Sequence, residues 1–65
     1  MSFKRLEELE QRLLQARAVA EAAAERANRT KRQEDYDAAL ARAAEVDEIW
    51  QEYGALWRKL NPPAA

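Results

Sequence analysis

The most constraining feature of this chain is the spacing of its apolar residues from Tyr36 to Leu60. The separations alternate between three and four without a break, through Tyr36, Ala39, Ala43, Val46, Trp50, Tyr53, Trp57 and Leu60. Ile49 and Leu56 widen this stripe. Such a repeat is typical of an α-helix that packs one apolar stripe against another helix. The spacing therefore predicts a long helix with alanines in its first half and aromatic residues in its second half.

An equivalent stripe runs through the first part of the chain. It consists of Leu6, Leu9, Leu13, Ala16, Ala20, Ala23 and Ala27, with Leu14 and Val19 beside it. Here the large residues come first and the alanines last, which is the reverse of the other stripe. Two antiparallel helices would therefore place leucines beside aromatic residues and alanines beside alanines.

The repeat breaks between Ala27 and Tyr36, where eight consecutive residues are polar. Within this segment Thr30 and Gln33 fit a capping box, in which the two side chains satisfy backbone N–H groups at the start of a helix. Asn28 tolerates the left-handed conformation that commonly ends a helix. The polar segment is therefore predicted to contain the turn between the two helices.

These signals predict an all-α fold, an antiparallel two-helix hairpin that forms a single domain. We expect helix one at about 3–28, a loop at about 28–31, helix two at about 31–60 and a frayed tail at 61–65, with Ser2 as the first N-cap. A loop of this length returns the chain antiparallel. The alternative is one unbroken helix with a shift of phase, because no glycine or proline interrupts the polar segment.

The composition restricts both stability and chemistry. A chain of 65 residues forms one small domain at most, and such domains generally need a staple, a metal or a partner. The absence of cysteine and histidine removes disulfides, the commonest general base and the commonest metal ligand. No nucleophile–base pair, phosphate loop or metal motif is present. We therefore predict a non-enzymatic protein with no catalytic residue, no cofactor and no metal.

The distribution of apolar residues also bears on location. No apolar run approaches the ~20 residues that span a bilayer, and the N-terminus has no apolar signal core. The expectation is a cytoplasmic protein that does not enter a membrane.

Eleven large apolar side chains gather at the open end of the predicted hairpin, more than the contact between two helices can cover. Exposed apolar patches of that size mark binding sites, so we expect a homodimer or a larger partner protein to complete a four-helix bundle. Tryptophan and tyrosine dominate interface energies. The residues predicted for a partner-binding site or dimer core are Trp50, Tyr53, Leu56, Trp57, Leu60, Leu6, Leu9 and Leu13.

A second candidate site lies at the predicted turn. Arg26, Arg29, Lys31 and Arg32 gather there and are predicted as possible nucleic-acid contacts, since clustered cations bind phosphates. The adjacent acidic residues dilute this charge, and no aromatic side chain lies among the cations to stack on bases. The formal net charge of −1 likewise gives no basic footprint. Nucleic acid is therefore the less favoured partner.

Two short segments resemble known helical hairpins. Leu6-Glu7-Glu8-Leu9 and Ile49-Trp50-Gln51-Glu52-Tyr53 are similar to the leucine-acidic and aromatic pairs of short co-chaperones of type III secretion needle subunits. The predicted architecture also resembles plasmid copy-number regulators, which bind RNA as four-helix dimers. The first resemblance implies protein binding and the second implies RNA binding, both at the level of the fold.

Three hypotheses follow from the sequence. The first is a small adaptor, inhibitory or co-chaperone-like subunit that acts through protein–protein contact at its aromatic and leucine-rich end. The second is a regulatory nucleic-acid-binding dimer that uses the basic turn. The third is a designed or structural coiled coil. The unbroken stripes favour it, whereas the polar, glycine-free loop and the Pro-Pro-Ala-Ala tail disfavour a designed origin.

Overall fold

The computed structural model describes residues 3–63, which form two α-helices that pack against each other. Helix α1 spans Phe3–Thr30 and helix α2 spans Gln33–Leu60. The described part of the chain measures 51 × 22 × 12 Å. A thickness of 12 Å is that of one helix with its side chains, so the hairpin is a flat layer with two broad faces. Neither helix has a stretch long and apolar enough to cross a membrane.

The turn lies later in the chain than predicted and is built differently. Helix α1 continues to Thr30, and Lys31 takes the left-handed conformation with φ of 58°. The Lys31 N–H donates to the carbonyl of Ala27 at 2.8 Å, which is the bond expected of a left-handed helix end. Asn28, which tolerates this conformation and was the expected end of helix one, lies inside α1 instead. Two residues, Lys31 and Arg32, connect the helices.

The predicted capping box is also absent. Arg32 is the N-cap of α2 and its side chain makes no capping bond. The Thr30 hydroxyl donates instead to the Asp35 carboxylate and accepts the Arg32 N–H at 3.3 Å, while the Gln33 amide donates to Asp37 at 3.0 Å. Hydrogen bonds to charged acceptors are the stronger ones. The Thr30 and Gln33 side chains therefore bond to the carboxylates of Asp35 and Asp37 rather than to the backbone N–H groups of a capping box. The predicted N-cap Ser2 and the tail residues 64–65 lie outside the described residues.

The contact surface of α1 is the predicted stripe. Leu9 is fully buried, Leu6 is 7% exposed and Ala27 is 1% exposed. The other stripe residues are half-buried, namely Leu13, Ala16, Ala20 and Ala23. The prediction for this helix is confirmed from the open end of the hairpin to the turn.

The contact surface of α2 differs from the prediction. The half-buried apolar residues are Ala39, Val46, Ile49, Tyr53, Leu56 and Leu60. Trp50 and Trp57, which were placed on the stripe, are 57% and 47% exposed, and Ala43 is exposed as well. Ile49 and Leu56, which were expected to flank the stripe, lie in the contact instead. Two helices meet along a narrow line, and the branched side chains fit this line while the larger indole rings lie at its edge.

Candidate protein-interaction surface

One broad face of the hairpin carries most of the exposed large apolar side chains. Within residues 3–63, seven such side chains are exposed. Six of them, which we call the aromatic face, are placed by the 3.6-residue helical period on one flank of their helices: Phe3, Leu14, Tyr36, Leu40, Trp50 and Trp57. The seventh, Val19, follows Leu14 by five residues and points away by more than a third of a turn. Soluble monomers rarely expose so many neighbouring apolar groups.

Contacts across the groove between the helices establish that both helices contribute to this face. A hollow of about 370 Å³ is lined by Leu13 and Leu14 of α1 and by Trp50 and Tyr53 of α2. Phe3 precedes Leu14 by eleven residues, about three helical turns, and therefore lies on the same flank of α1. The aromatic face thus includes the open end of the hairpin, and the hollow where the helices meet is lined by these apolar side chains together with Glu10 and Gln11.

A second hollow adjoins the first around Gly54. It is lined by Trp50, Tyr53, Gly54, Trp57 and Arg58. Gly54 lies between the two tryptophans along the helix and contributes no side chain to this hollow. Trp50 stacks on Tyr53 with ring centroids 5.6 Å apart and planes 3° from parallel, which holds the wall shared by the two hollows. A partner side chain would meet preformed aromatic walls here.

The residues predicted for the interaction site are divided between the inside of the hairpin and this face. Leu6 and Leu9 are buried against α2, so a partner that docks on the hairpin cannot touch them. Leu13, Leu56 and Leu60 are half-buried. Trp50 and Trp57 are exposed, with half-buried Tyr53 between them. Among the residues predicted for the site, only the two tryptophans are therefore exposed enough to offer a partner about half of a large apolar residue.

Sequence reasoning missed part of the surface. Leu40 is 69% exposed and Tyr36 is 37% exposed, and both lie on the outer flank of α2 with the tryptophans. A signal for them exists in the sequence. Positions 36, 40, 43, 47, 50, 54 and 57 form a second three–four repeat that is apolar except at Asp47. We call this repeat the outer stripe of α2.

The opposite face of the hairpin is polar. The Arg5 guanidinium donates to Glu52 across the helices at 2.6 Å and lies 3.4 Å from Glu8 of its own helix. The Glu52 carboxylate, followed by that of Glu8, raises the pKa of Arg5 above its ordinary value. Lys59 lines the shallow hollow beside this pair, together with Leu9 and Leu56. A charged bridge thus spans the face that lacks the aromatic residues.

The basic residues at the turn are partly neutralised. Arg26 lies 3.4 Å from the Asp35 carboxylate, and Arg32 lies 3.7 Å from Glu34. Asp35 is only 14% exposed, which reduces the screening of its pair with Arg26. Arg29 and Lys31 are exposed. The four predicted cations do share one end of the hairpin, but two of them face carboxylates there.

The described residues contain no cluster of candidate metal ligands. No group of three acidic side chains in residues 3–63 is placed to hold a metal ion. Comparisons of the chain with protein-family models, with curated proteins and with solved structures found no match.

Proposed function

We propose that this chain is a non-enzymatic helical protein that acts by binding another protein chain through the aromatic face. In this proposal it is an adaptor, inhibitory or co-chaperone-like subunit whose specificity lies in the hollows around Trp50, Gly54 and Trp57. The observation that carries the proposal is the exposure of Trp50 and Trp57, at 57% and 47%, beside Leu14 and Phe3 on one face. Full burial of a large apolar side chain contributes on the order of 1.5–3 kcal/mol, and the isolated hairpin gains only part of this for each tryptophan.

The chemistry of the face supports a protein partner. Tryptophan, tyrosine and arginine are the residues that contribute most to protein interfaces, and Trp50, Tyr53, Trp57 and Arg58 lie together around one hollow. Trp50 and Tyr53 are held by stacking, so little conformational entropy is lost when these two rings bind. Nucleic acid is the weaker candidate, because Arg26 and Arg32 are paired with carboxylates.

Site-specific photo-crosslinking in the cells that make the protein tests this proposal. A photoreactive residue would replace Arg58, which lines the hollow at Gly54. The matched control replaces Arg12, which is also exposed and lies two helical turns from Arg5 on the polar face. We expect one defined adduct from position 58, identified by mass spectrometry as a protein or as a second copy of this chain, and none from position 12.

A further variant makes the crosslinking result specific. Trp57→Lys introduced into the chain labelled at position 58 should abolish the adduct, because a charge within the hollow is costly to desolvate. Equal adducts from positions 58 and 12, or no adduct from position 58, would contradict the proposed function.

A further inference from the structure

The outer stripe of α2 has a symmetry that the aromatic face as a whole lacks. When Asn61, the C-cap residue directly after α2, is added to the outer stripe, the steps of four and three read the same in both directions. An antiparallel copy of α2 therefore matches this stripe position by position. From this match, and resting on the proposed function above, we infer that the partner is a second copy of the chain, bound antiparallel through α2.

The matched positions are chemically compatible. Leu40, 69% exposed, meets Trp57 of the second copy, and Ala43 meets Gly54, so that two small residues allow a close approach. Asp47, the single charged residue of the stripe, meets Trp50, whose indole N–H is a hydrogen-bond donor. In a parallel arrangement in register, Asp47 would face Asp47, and the two carboxylates would repel each other.

The charges beside the stripe favour the same arrangement. One row of positions, each seven residues after the last, runs along the edge of the stripe. It consists of Asp37, Ala44, Gln51 and Arg58. In an antiparallel pair this row faces itself in reverse, so Asp37 of each copy meets Arg58 of the other. In a parallel pair the two copies of this row would lie on opposite sides of the contact, so Asp37 and Arg58 would not meet each other. Such flanking charges set the orientation of paired helices.

Helix α1 contributes less to this contact. Its flank on the aromatic face has Phe3 and Leu14 but also Glu10, Arg17 and Glu21, all exposed. This mixture gives α1 no continuous apolar stripe on that side. The contact is therefore centred on α2, with the turns of the two hairpins at opposite ends.

A mixing experiment with charge-reversed chains tests the inference. Asp37→Arg places arginine against Arg58 in its own dimer, and Arg58→Asp places aspartate against Asp37. Each variant alone should self-associate on the order of tenfold more weakly than the wild type. In the mixed dimer both pairs are again opposite in charge, so an equimolar mixture should recover wild-type affinity. The control Arg12→Asp changes the charge equally on the polar face and should have no effect.

Distances between spin labels fix the orientation independently. Labels on a cysteine introduced at Lys31 should lie about 50 Å apart in the antiparallel dimer, and labels at Glu48 within about 20 Å. A distance of about 20 Å or less between the Lys31 labels would overturn the antiparallel arrangement. The same holds if the mixture of the two charge-reversed variants associates no more tightly than either variant alone. A wild type that stays monomeric while position 58 crosslinks to a different protein would overturn this inference and leave the proposed function standing. A wild type that stays monomeric and gives no crosslink from position 58 would overturn both this inference and the proposed function.

Discussion

Lys31 lies in the left-handed conformation at the end of α1 and donates its N–H to the carbonyl of Ala27 at 2.8 Å. Glycine is the residue that usually occupies such a position, because it has no Cβ to clash with the backbone. The chain has a single glycine, Gly54, and it lies inside α2 with no positive φ. Glycine is therefore absent where the turn would favour it and present where a helix does not require it.

The first prediction concerns the turn. Lys31→Gly should stabilise the hairpin by about 1 kcal/mol, because it removes the strain of a side chain in the left-handed region. Lys31→Ala is the control, since alanine removes the charge and keeps the Cβ, and it should change the stability little. Urea unfolding followed by circular dichroism at fixed protein concentration measures both. Equal gains from the two variants would show that the charge, rather than the backbone, limits stability.

The second prediction concerns Gly54. A Cβ added there meets only the Arg58 side chain, at 3.6 Å, which is an ordinary van der Waals contact. Gly54→Ala should therefore stabilise the isolated hairpin by ~1 kcal/mol through helix propensity. The same variant should weaken self-association, because the added methyl group lies where Ala43 of the second copy approaches. A gain in both quantities would contradict the close approach and make this glycine incidental.

The third prediction compares two leucines of opposite exposure. Leu9 is fully buried and Leu40 is 69% exposed. Leu9→Ala should cost ~2–5 kcal/mol, comparable with the whole stability of ~3–10 kcal/mol expected for a domain of this size. Leu40→Ala should change the stability of the monomer by less than ~0.5 kcal/mol. Thermal unfolding at a concentration below the association range measures the two costs. Similar losses at both positions would mean that Leu40 packs within the hairpin.

The fourth prediction concerns nucleic acid. Since Arg26 and Arg32 lie beside Asp35 and Glu34, the protein should elute from a polyanion column at or below physiological ionic strength. Asp35→Asn removes the carboxylate charge beside Arg26 and should increase the retention slightly. Strong, steeply salt-dependent retention of the wild type would instead favour a nucleic-acid-binding role.

The sequence predicted α1 better than α2 for a physical reason. On α1 the residues from Leu6 to Ala27 form the one continuous apolar stripe, so there is one choice of contact surface. Helix α2 has two apolar repeats side by side, and Trp50 and Trp57 were assigned to the inner one. The width of the contact between the helices decides which of the two repeats packs on α1. The spacing of apolar residues in the sequence does not reveal this width.

The capping residues of the turn could not be predicted from the sequence, for a different reason. Capping rules favour Asn28 and Thr30, whereas the left-handed residue is Lys31, which local propensity disfavours. The carboxylate of Asp35 takes the hydroxyl of Thr30 and pairs with Arg26. These contacts form only once both helices are in place, so a local pattern does not reveal them.

The central claim is that the aromatic face is the interaction surface and that its first partner is a second copy of the chain. Sedimentation equilibrium across a range of protein concentrations tests it with three proteins: the wild type, Trp57→Lys and Val19→Lys. Trp57 and Val19 are matched in exposure, at 47% and 50%, but only Trp57 lies on the aromatic face. We predict that the wild type and Val19→Lys shift from the chain mass of 7.5 kDa to twice that mass at micromolar concentration, while Trp57→Lys stays at the chain mass. A wild type that remains at the chain mass at all concentrations, or a Trp57→Lys variant that associates as well as the wild type, would contradict the account.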